Sequence, residues 1–439
     1  MESQTTQCGW CLHHAALSDV GMRRQNNQDS MNVLVASDED YWEQRGHLFV
    51  VCDGMGAHAA GELASKIAAD GIPHTYSKNE NAAAPAALRK AILAANRQIF
   101  DKGRADIDFQ GMGTTCSAMV LLPEGVLIGH VGDSRVYRFR DQLLEQLTFD
   151  HSLVWEVRAA AENGDDQVAM NLPKNVITRS LGPSPQVKVD LEGPLPVQTG
   201  DKYLLCSDGL TGPVPDVVVG TLLAALPADE AARALVDLAN LRGGPDNITV
   251  IVVEVGEQIE QEVEDESAAR QLKSRLLSAV ALLAFVAAAV TWFMGHHVPS
   301  ILSGVGGIVA AILALVVRFQ REEVVEEQPM RPLGQAPYAE FDCSGGQETL
   351  EMLADVLDRI QQAAERASVK LKPETLEKLH ARLAESSSPA DAAVSGSSAS
   401  DLFERVRLDA RLVCAIVADY KQARAADQAK FADSPLDLL

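Results

Sequence analysis

The sequence has little positive charge. Its 439 residues include 38 lysines and arginines against 61 aspartates and glutamates, which gives a formal net charge of -23. A nucleic-acid-binding surface needs clustered lysine and arginine to neutralise phosphates, and the chain forms no such cluster. We therefore expect no nucleic-acid partner. The acidic surplus is compatible with cation binding and equally with the ordinary solubility of an acidic protein.

Several common enzyme motifs are also missing. The chain contains no Walker A loop, no G-x-S-x-G elbow and no H-E-x-x-H pair. It opens without a secretory signal, and its seven cysteines, an odd number, indicate a reducing compartment. Cys8 and Cys11 form a C-x-x-C pair followed by His13 and His14, so a zinc half-site or a redox pair is an open alternative. A structural zinc site needs four ligands, and no second pair is evident.

The chain is too long for one hydrophobic core, which usually stops growing below about 250–300 residues. Residues 8–256 alternate short apolar runs with turns, and four runs predict strands, at 48–52, 126–131, 202–207 and 248–255. Apolar residues at helical spacing predict one helix around 88–99 and another around 222–238. The fold class of this region is therefore α+β. The acidic run that follows predicts a solvated linker at 257–275.

Two long apolar stretches without a charge follow the linker, at 276–294 and 301–317. Each matches the hydrocarbon thickness of a bilayer, which takes about 17–25 helical residues. The break at 295–300 predicts a tight turn. Basic residues flank both outer ends, namely Arg270, Lys273, Arg275, Arg318 and Arg321. By the positive-inside rule, we expect a transmembrane helical hairpin in the inner membrane of the cell, with both flanking regions in the cytoplasm. The alternative is a buried helical hairpin in a soluble domain.

Residues 338–439 predict a helical region, which a Ser/Ala-rich low-complexity gap interrupts at 385–400. No catalytic motif occurs in this region. We interpret it as a regulatory tail or as a module for a protein partner, although amphipathic helices that pack on one another would give the same pattern.

Carboxylates stand where predicted strands end or begin. Asp53, Asp133 and Asp208 each follow a strand, and Asp246 directly precedes one. Any single Asp-Gly pair is most often a plain turn. Four carboxylates in comparable positions instead predict an oxygen cage for a hard cation such as Mg²⁺ or Mn²⁺.

Arg24 and Asp29 lie in a polar segment near the N-terminus and complete the candidate site. A guanidinium can grip two phosphate oxygens at once. Two metal ions about 3.5–4 Å apart would share a bridging water, lower its pKa and direct it at a phosphoester held by Arg24. The residues therefore predict phosphoester hydrolysis without a covalent enzyme intermediate.

An ordered series of segments between residues 15 and 256 resembles the metal-dependent serine/threonine protein phosphatases of type 2C, in the bacterial style of that family. Ser18 to Ser30 looks like the opening motif of the family, and Val51 to Ser65 looks like its DGMGGHxxGExAS segment. The shorter matches are Gly113-Thr114-Thr115, Gly132-Asp133-Ser134-Arg135, Ile177-Thr178-Arg179-Ser180-Leu181-Gly182, Ser207-Asp208-Gly209-Leu210 and Gly244-Pro245-Asp246-Asn247-Ile248-Thr249.

The resemblance implies a four-layer α-β-β-α sandwich with a binuclear Mg²⁺ or Mn²⁺ centre at one edge of its two sheets. It implies that Asp53 bridges both metals and that the Gly54 carbonyl ligates one of them. Asp208 and Asp246 would complete the first metal site. Asp133, together with Asp208, would serve a third, weaker ion.

The remaining site residues are also implied by the resemblance. Arg24 would hold the substrate phosphate, so Arg24 and Asp53 are the predicted catalytic residues, and Asp29 would act through a metal-bound water. Residues 151–172 fall where the family keeps a variable flap. Gln28 stands where many members carry Glu, a departure that removes one negative charge and would weaken metal binding. The general acid is unassigned, with His58 as a candidate.

The function implied is metal-dependent hydrolysis of phosphoserine and phosphothreonine in proteins, the substrates of a serine/threonine kinase, at the cytoplasmic face of a membrane. The alternative is a membrane-anchored phosphoprotein-binding or sensing module with a weakly active phosphatase fold, which Gln28 and the C-terminal region motivate. If 338–439 is a separable tail, its deletion should leave the hydrolysis of small substrates intact.

Overall fold

The computed structural model describes most of the chain. The described residues are 1–57, 59–79, 81–160, 176–258, 266–295, 297–319, 333–334, 336–367, 372–386 and 399–426. The chain divides into two compact units, one formed by Met1–Ile259 with Arg331–Leu439 and the other by Glu260–Met330.

Two antiparallel sheets form the centre of the first unit. Their strands are β1 (Glu2–Cys8), β2 (Trp10–Asp19), β3 (Asp29–Leu34), β4 (His47–Met55), β5 (Gly113–Thr114), β6 (Cys116–Leu122), β7 (Gly125–Val131), β8 (Arg135–Arg140), β9 (Leu143–Gln146), β10 (Asp190–Leu195), β11 (Lys202–Cys206), β12 (Ile248–Gln258) and β13 (Ala339–Asp342). The first sheet has the order β1-β2-β12-β11-β8-β9-β13, and the second has the order β10-β7-β6-β4-β3, with β5 paired to β4. The four strands predicted from apolar runs are confirmed as β4, β7, β11 and β12.

Helices cover the outer faces of both sheets. The helices of the described residues, in chain order, are α1 (Glu39–Arg45), α2 (Ala60–Lys78), α3 (Ala84–Ala105), α4 (Leu153–Ala160), α5 (Asp208–Thr211), α6 (Asp216–Ala225), α7 (Ala228–Leu241), α8 (Glu266–Phe293), α9 (His297–Phe319), α10 (Gln347–Ala367), α11 (Pro373–Ser386) and α12 (Ala399–Ala426). The helix predicted around 88–99 lies within α3. The one predicted around 222–238 is two helices, because Pro227 stands at the N-cap of α7 and lacks the N–H that a continuous helix needs.

Three apolar clusters give the unit its layers. Ile72 of α2 and Ile92 of α3 pack on Val120 of the second sheet. A second cluster, which includes Phe49 and Ile251, fills the space between the sheets. A third joins the first sheet to α6 and α7. This arrangement confirms the predicted α-β-β-α sandwich.

The C-terminal region belongs to the same core. Strand β13 extends the first sheet by pairing with β9, and α10 and α12 pack on α6 and α7, so that Leu353 and Val413 share a cluster with Leu222 and Leu235. The physical reason is the composition of α6, which is apolar on nearly all sides and therefore needs cover on its outer face as well. The described part of the region thus shares the hydrophobic core of the first unit.

The second unit is a helical hairpin. The predicted segments 276–294 and 301–317 lie in α8 and α9, and α8 begins at Glu266, within the predicted linker. Large apolar side chains such as Leu283 and Leu315 are exposed. Within the described residues, however, no helix combines the length and the apolar character needed to cross a membrane. The helical part of the prediction is confirmed, and the transmembrane assignment of the hairpin is not supported.

The C-x-x-C pair forms part of a tight β-hairpin. Cys8 ends β1, directly opposite Trp10 of β2, and its buried thiol donates to the carbonyl of Asp38 at 3.3 Å. Burial raises the pKa of Cys8 to about 11, which suppresses the thiolate that zinc binding or redox chemistry requires. The structure therefore gives no support to either alternative for this pair.

Candidate metal centre

The predicted carboxylates converge at one edge of the two sheets. The β3–β4 register places Asp29 directly opposite Asp53. Asp208 begins α5 immediately after β11, and Asp246 precedes β12, the neighbour of β11 in the first sheet. Because strand ends hold side chains rigidly, residues from both sheets meet here in a fixed arrangement.

The closeness of these groups is visible in their electrostatics. Burial raises the pKa of Asp53 well above its usual range, and the carboxylates of Asp29, Asp208, Asp133 and Asp246 raise it further. Such mutual repulsion among buried carboxylates is unfavourable unless protons or cations compensate it.

The neighbouring carboxyls show the same effect. Burial raises the pKa of Asp29 to about 7, against a hydrogen bond from Ser207 that lowers it. Burial and then the Asp208 charge raise the pKa of Asp133 to about 7. For Asp208, burial and then Asp246 raise the pKa, while a hydrogen bond with Asp53 opposes the rise. The centre therefore holds more negative charge than its own residues neutralise.

Two oxygens of the cluster are available to a ligand. Within the described residues, Asp133 Oδ1 and Asp208 Oδ1 are buried without a hydrogen-bond partner. A buried carboxylate oxygen without a partner is costly, and a bound cation would remove that cost. These observations fit the predicted metal ions.

No three of the described His, Cys, Asp and Glu side chains are arranged to hold a single metal ion. Mg²⁺ commonly keeps several of its waters and is bound through only one or two carboxylates. Ions bound by pairs of carboxylates such as Asp53 and Asp208 would have this kind of coordination. The residues therefore fit a binuclear centre in which water supplies many of the ligands better than a site in which the protein supplies all of them.

Arg24 lies beside the carboxylates on the loop after β2. Its Nη2 donates to Asp246 Oδ2 at 2.7 Å, and about half of its side chain is exposed. Gly21, at a φ of +79°, lets this loop pass close to the carbonyl of Asp246, where a Cβ atom would lie 2.1 Å from the oxygen. The predicted phosphate-binding guanidinium is thus at the centre and accessible from solvent.

Gly54 occupies a crowded position behind Asp53. A Cβ atom there would lie 2.2 Å from the carbonyl oxygen of Gly61 and 2.5 Å from that of Gln28, so only glycine fits. Its carbonyl remains a predicted ligand. His58 lies outside the described residues, as does 161–175, which takes in most of the predicted flap; α4 forms the described part of that segment.

Three residues of the motif segments, to which the sequence analysis gave no role, position the site. The side-chain amide nitrogen of Asn247 donates to the carbonyls of Val20 and Asn26, and its Oδ1 accepts from the backbone of Gln28, so that one side chain holds both ends of the Arg24 loop. Thr115 Oγ1 accepts from the backbone N–H of Asp53 at 2.8 Å. Ser207 Oγ donates to Asp29 Oδ2 at 2.7 Å.

Each of these three residues lies within a recognised motif segment, and that membership was the only signal in the sequence. Their partners lie far away in sequence. Asp29, Asp53 and the Arg24 loop, residues 20–28, are therefore held by contacts that only the folded chain creates.

Comparisons with known proteins found a family and several relatives. The family model described as "Protein phosphatase 2C" matches residues 22–218. The serine/threonine phosphatase stp of Listeria monocytogenes is 37% identical over 249 residues, which covers 55% of this chain and 96% of that protein.

Solved structures are also similar. The crystal structure of the Mycobacterium tuberculosis serine/threonine phosphatase PstP/Ppp is 34% identical, with a TM-score of 0.50, and covers 56% of this chain and 99% of that chain. A structure titled as the catalytic domain of PstP in complex with 2 manganese ions is 34% identical, covers 56% of this chain and 99% of that chain, and has a TM-score of 0.47.

Proposed function

The chain belongs to the protein phosphatase 2C family of serine/threonine phosphatases, and on that premise we propose that its carboxylate centre holds two Mn²⁺ or Mg²⁺ ions and hydrolyses phosphoserine and phosphothreonine in proteins. The observation that carries the proposal is the buried set of mutually repelling carboxylates beside one accessible arginine. Substrates of a serine/threonine kinase are the proposed phosphoproteins.

The acidic residues of the centre have different proposed roles in metal binding. Asp53, Asp208 and Asp246 would hold the two ions, with Asp29 supporting them and the partnerless oxygen of Asp133 offering a place for a third. When bound, the ions would activate a water as the nucleophile and neutralise charge on the phosphoester.

The rest of the chemistry belongs to the chain itself. Arg24 would bind and orient the phosphate as a bidentate donor. In exchange, its guanidinium would give up part of its contact with Asp246, 2.7 Å away. Asn247 keeps the Arg24 loop in place, and Thr115 keeps Asp53 in place, so both groups are preorganised before the substrate arrives.

The test is hydrolysis of p-nitrophenyl phosphate and of a phosphothreonine peptide by the full chain, with Mn²⁺ titrated and EDTA as the control. The full chain is needed because the C-terminal helices share a core with the catalytic unit. Metal-dependent turnover that EDTA abolishes is the expected result. Metal and phosphopeptide binding without turnover would instead favour the alternative of a phosphoprotein-binding module.

Gln28 is the residue through which metal affinity can be tested. Its side chain approaches the Asp53–Gly56 segment, with Nε2 donating to the Gly56 carbonyl at 3.4 Å. We expect Gln28→Glu to lower the half-saturating Mn²⁺ concentration by about threefold to tenfold, because an added negative charge attracts the ions. Gln25→Glu, an exposed change on the same loop, is the matched control. An equal shift in both variants would contradict a local effect of Gln28.

The proposed location is the cytoplasmic face of the inner membrane, where the hairpin of α8 and α9 would contact lipid. Its exposed apolar side chains, including Leu283 and Leu315, support this proposal. The full chain should float with lipid vesicles in a density gradient, and a Leu283→Glu, Leu315→Glu double variant should float less. Wild-type protein that stays at the bottom of the gradient would exclude this location.

A further inference from the structure

Lys421, on the C-terminal helix α12, reaches two carboxylates of the catalytic unit. Its Nζ lies 3.5 Å from Asp237 Oδ1 on α7 and 3.7 Å from Asp19 Oδ2 at the end of β2. The Asp237 side chain is almost completely buried, and that of Asp19 is about one quarter exposed. One cation from α12 therefore bridges two acidic groups on different elements.

Asp19 supports the loop that carries Arg24. Its Oδ1 accepts from the backbone N–H of Gly21 at 2.9 Å and from Asn240 Nδ2 at 3.1 Å. Gly21 then passes against the carbonyl of Asp246. The next two residues, Met22 and Arg23, both donate from the backbone to the carbonyl of Gly244. The carboxylate of Asp19 thus fixes the first turn of the Arg24 loop.

The charges around Asp237 show why the bridge matters. Burial raises the pKa of Asp237 to about 6, the cation of Lys421 lowers it, and the charge of Asp19 raises it again. Arg233 is a further cation that lowers this pKa. Without Lys421, two carboxylates would face each other beside the loop, and their repulsion would act on Asp19, the less buried of the two.

We propose that Lys421 is a positioning residue, through which the C-terminal helix holds Asp19 and hence the phosphate-binding loop in its binding conformation. This inference rests on the proposed function, because it assumes that Arg24 binds phosphate. The Listeria phosphatase aligns over 96% of its length with only 55% of this chain. The family model matches residues 22–218, so Lys421 lies outside the part of the chain that the model describes.

The test compares Lys421→Met with Lys421→Arg and Arg411→Met in the full chain. Arg411 also lies on α12 and pairs with Glu230 of α7 at 2.7 Å, so its loss controls for weaker helix docking. The measurements are KM for a phosphothreonine peptide, inhibition by inorganic phosphate, kcat and amide hydrogen exchange of Gly21, Met22 and Arg23.

We expect Lys421→Met to raise KM and the phosphate inhibition constant by about twofold to fivefold, with kcat changed less than about twofold. Exchange of the three amides should become faster. Lys421→Arg should restore all values, and Arg411→Met should leave KM, phosphate inhibition and exchange unchanged.

Unchanged KM and exchange in Lys421→Met would overturn the inference, as would equal changes in Arg411→Met, which would indicate helix docking in general. Hydrogen exchange does not depend on turnover. Faster exchange in a chain without any metal-dependent turnover would therefore confirm that Lys421 holds the loop while contradicting the proposed function.

Discussion

Replacing Asp208 with asparagine should lower manganese-dependent turnover by about 10³-fold or more, equivalent to about 4 kcal/mol of transition-state stabilisation. Asp208 interacts with both Asp246, whose charge raises its pKa, and Asp53, whose hydrogen bond lowers it. Within the described residues, its Oδ1 is one of the two oxygens of the cluster without a hydrogen-bond partner. The amide keeps the shape of the side chain but loses the charge that would hold a cation. Steady-state turnover against Mn²⁺ concentration is the measurement.

The same substitution should stabilise the metal-free protein. A carboxyl whose pKa is raised by folding contributes stability that is present at low pH and is lost as the pH rises through its folded pKa. Burial and Asp246 raise the pKa of Asp208, and Asp29 and Asp133 lose their protons near pH 7. Asp208→Asn removes one of these mutually repelling carboxylates. The melting temperature in EDTA should therefore be higher than that of the wild type, and it should decrease less as the pH is raised from acidic to neutral.

Asp229→Asn is the control, because Asp229 lies in the first turn of α7 with a partly exposed side chain. It should change neither turnover nor stability in EDTA. Unchanged turnover in Asp208→Asn would refute the proposed metal centre. Lost turnover together with lower stability in EDTA would instead indicate a misfolded variant.

Truncating the chain after residue 258 should yield a protein that aggregates or unfolds at a much lower temperature. The deletion would expose the outer faces of α6 and α7, which α10 and α12 now cover. Each large apolar side chain that is fully buried contributes about 1.5–3 kcal/mol, and a domain is stable by only about 5–15 kcal/mol in total. Thermal unfolding of residues 1–258 against the full chain measures the effect.

A point substitution separates packing from the loss of a whole region. Leu353 of α10 is 1% exposed within the shared cluster, and Leu353→Ala should lower the free energy of unfolding by about 2–5 kcal/mol. Leu408→Ala, on the exposed face of α12, should change it by less than about 0.5 kcal/mol. A stable, fully active 1–258 fragment would show that the region is separable after all.

The candidate residues of the centre could be predicted from local sequence patterns. Asp53, Asp208 and Asp246 were identifiable because each lies next to an apolar run that forms a strand. The ends of such runs can be located from the local sequence alone. The α-β-β-α sandwich followed from the resemblance that these same segments carry. Local patterns of this kind survive in the sequence because they depend on neighbours along the chain.

The contacts that hold the centre and the packing of the C-terminal region could not be predicted from the sequence. Asn247 holds a carbonyl 227 positions away, and Lys421 meets Asp19 across almost the whole described chain. The apolar composition of α6 is typical of a helix buried on both faces. No local pattern, however, indicated that α10 and α12 pack on its outer face. Contacts between distant residues depend on packing and charge in the folded chain. No local pattern in the sequence specifies them, because the partners come from separate segments.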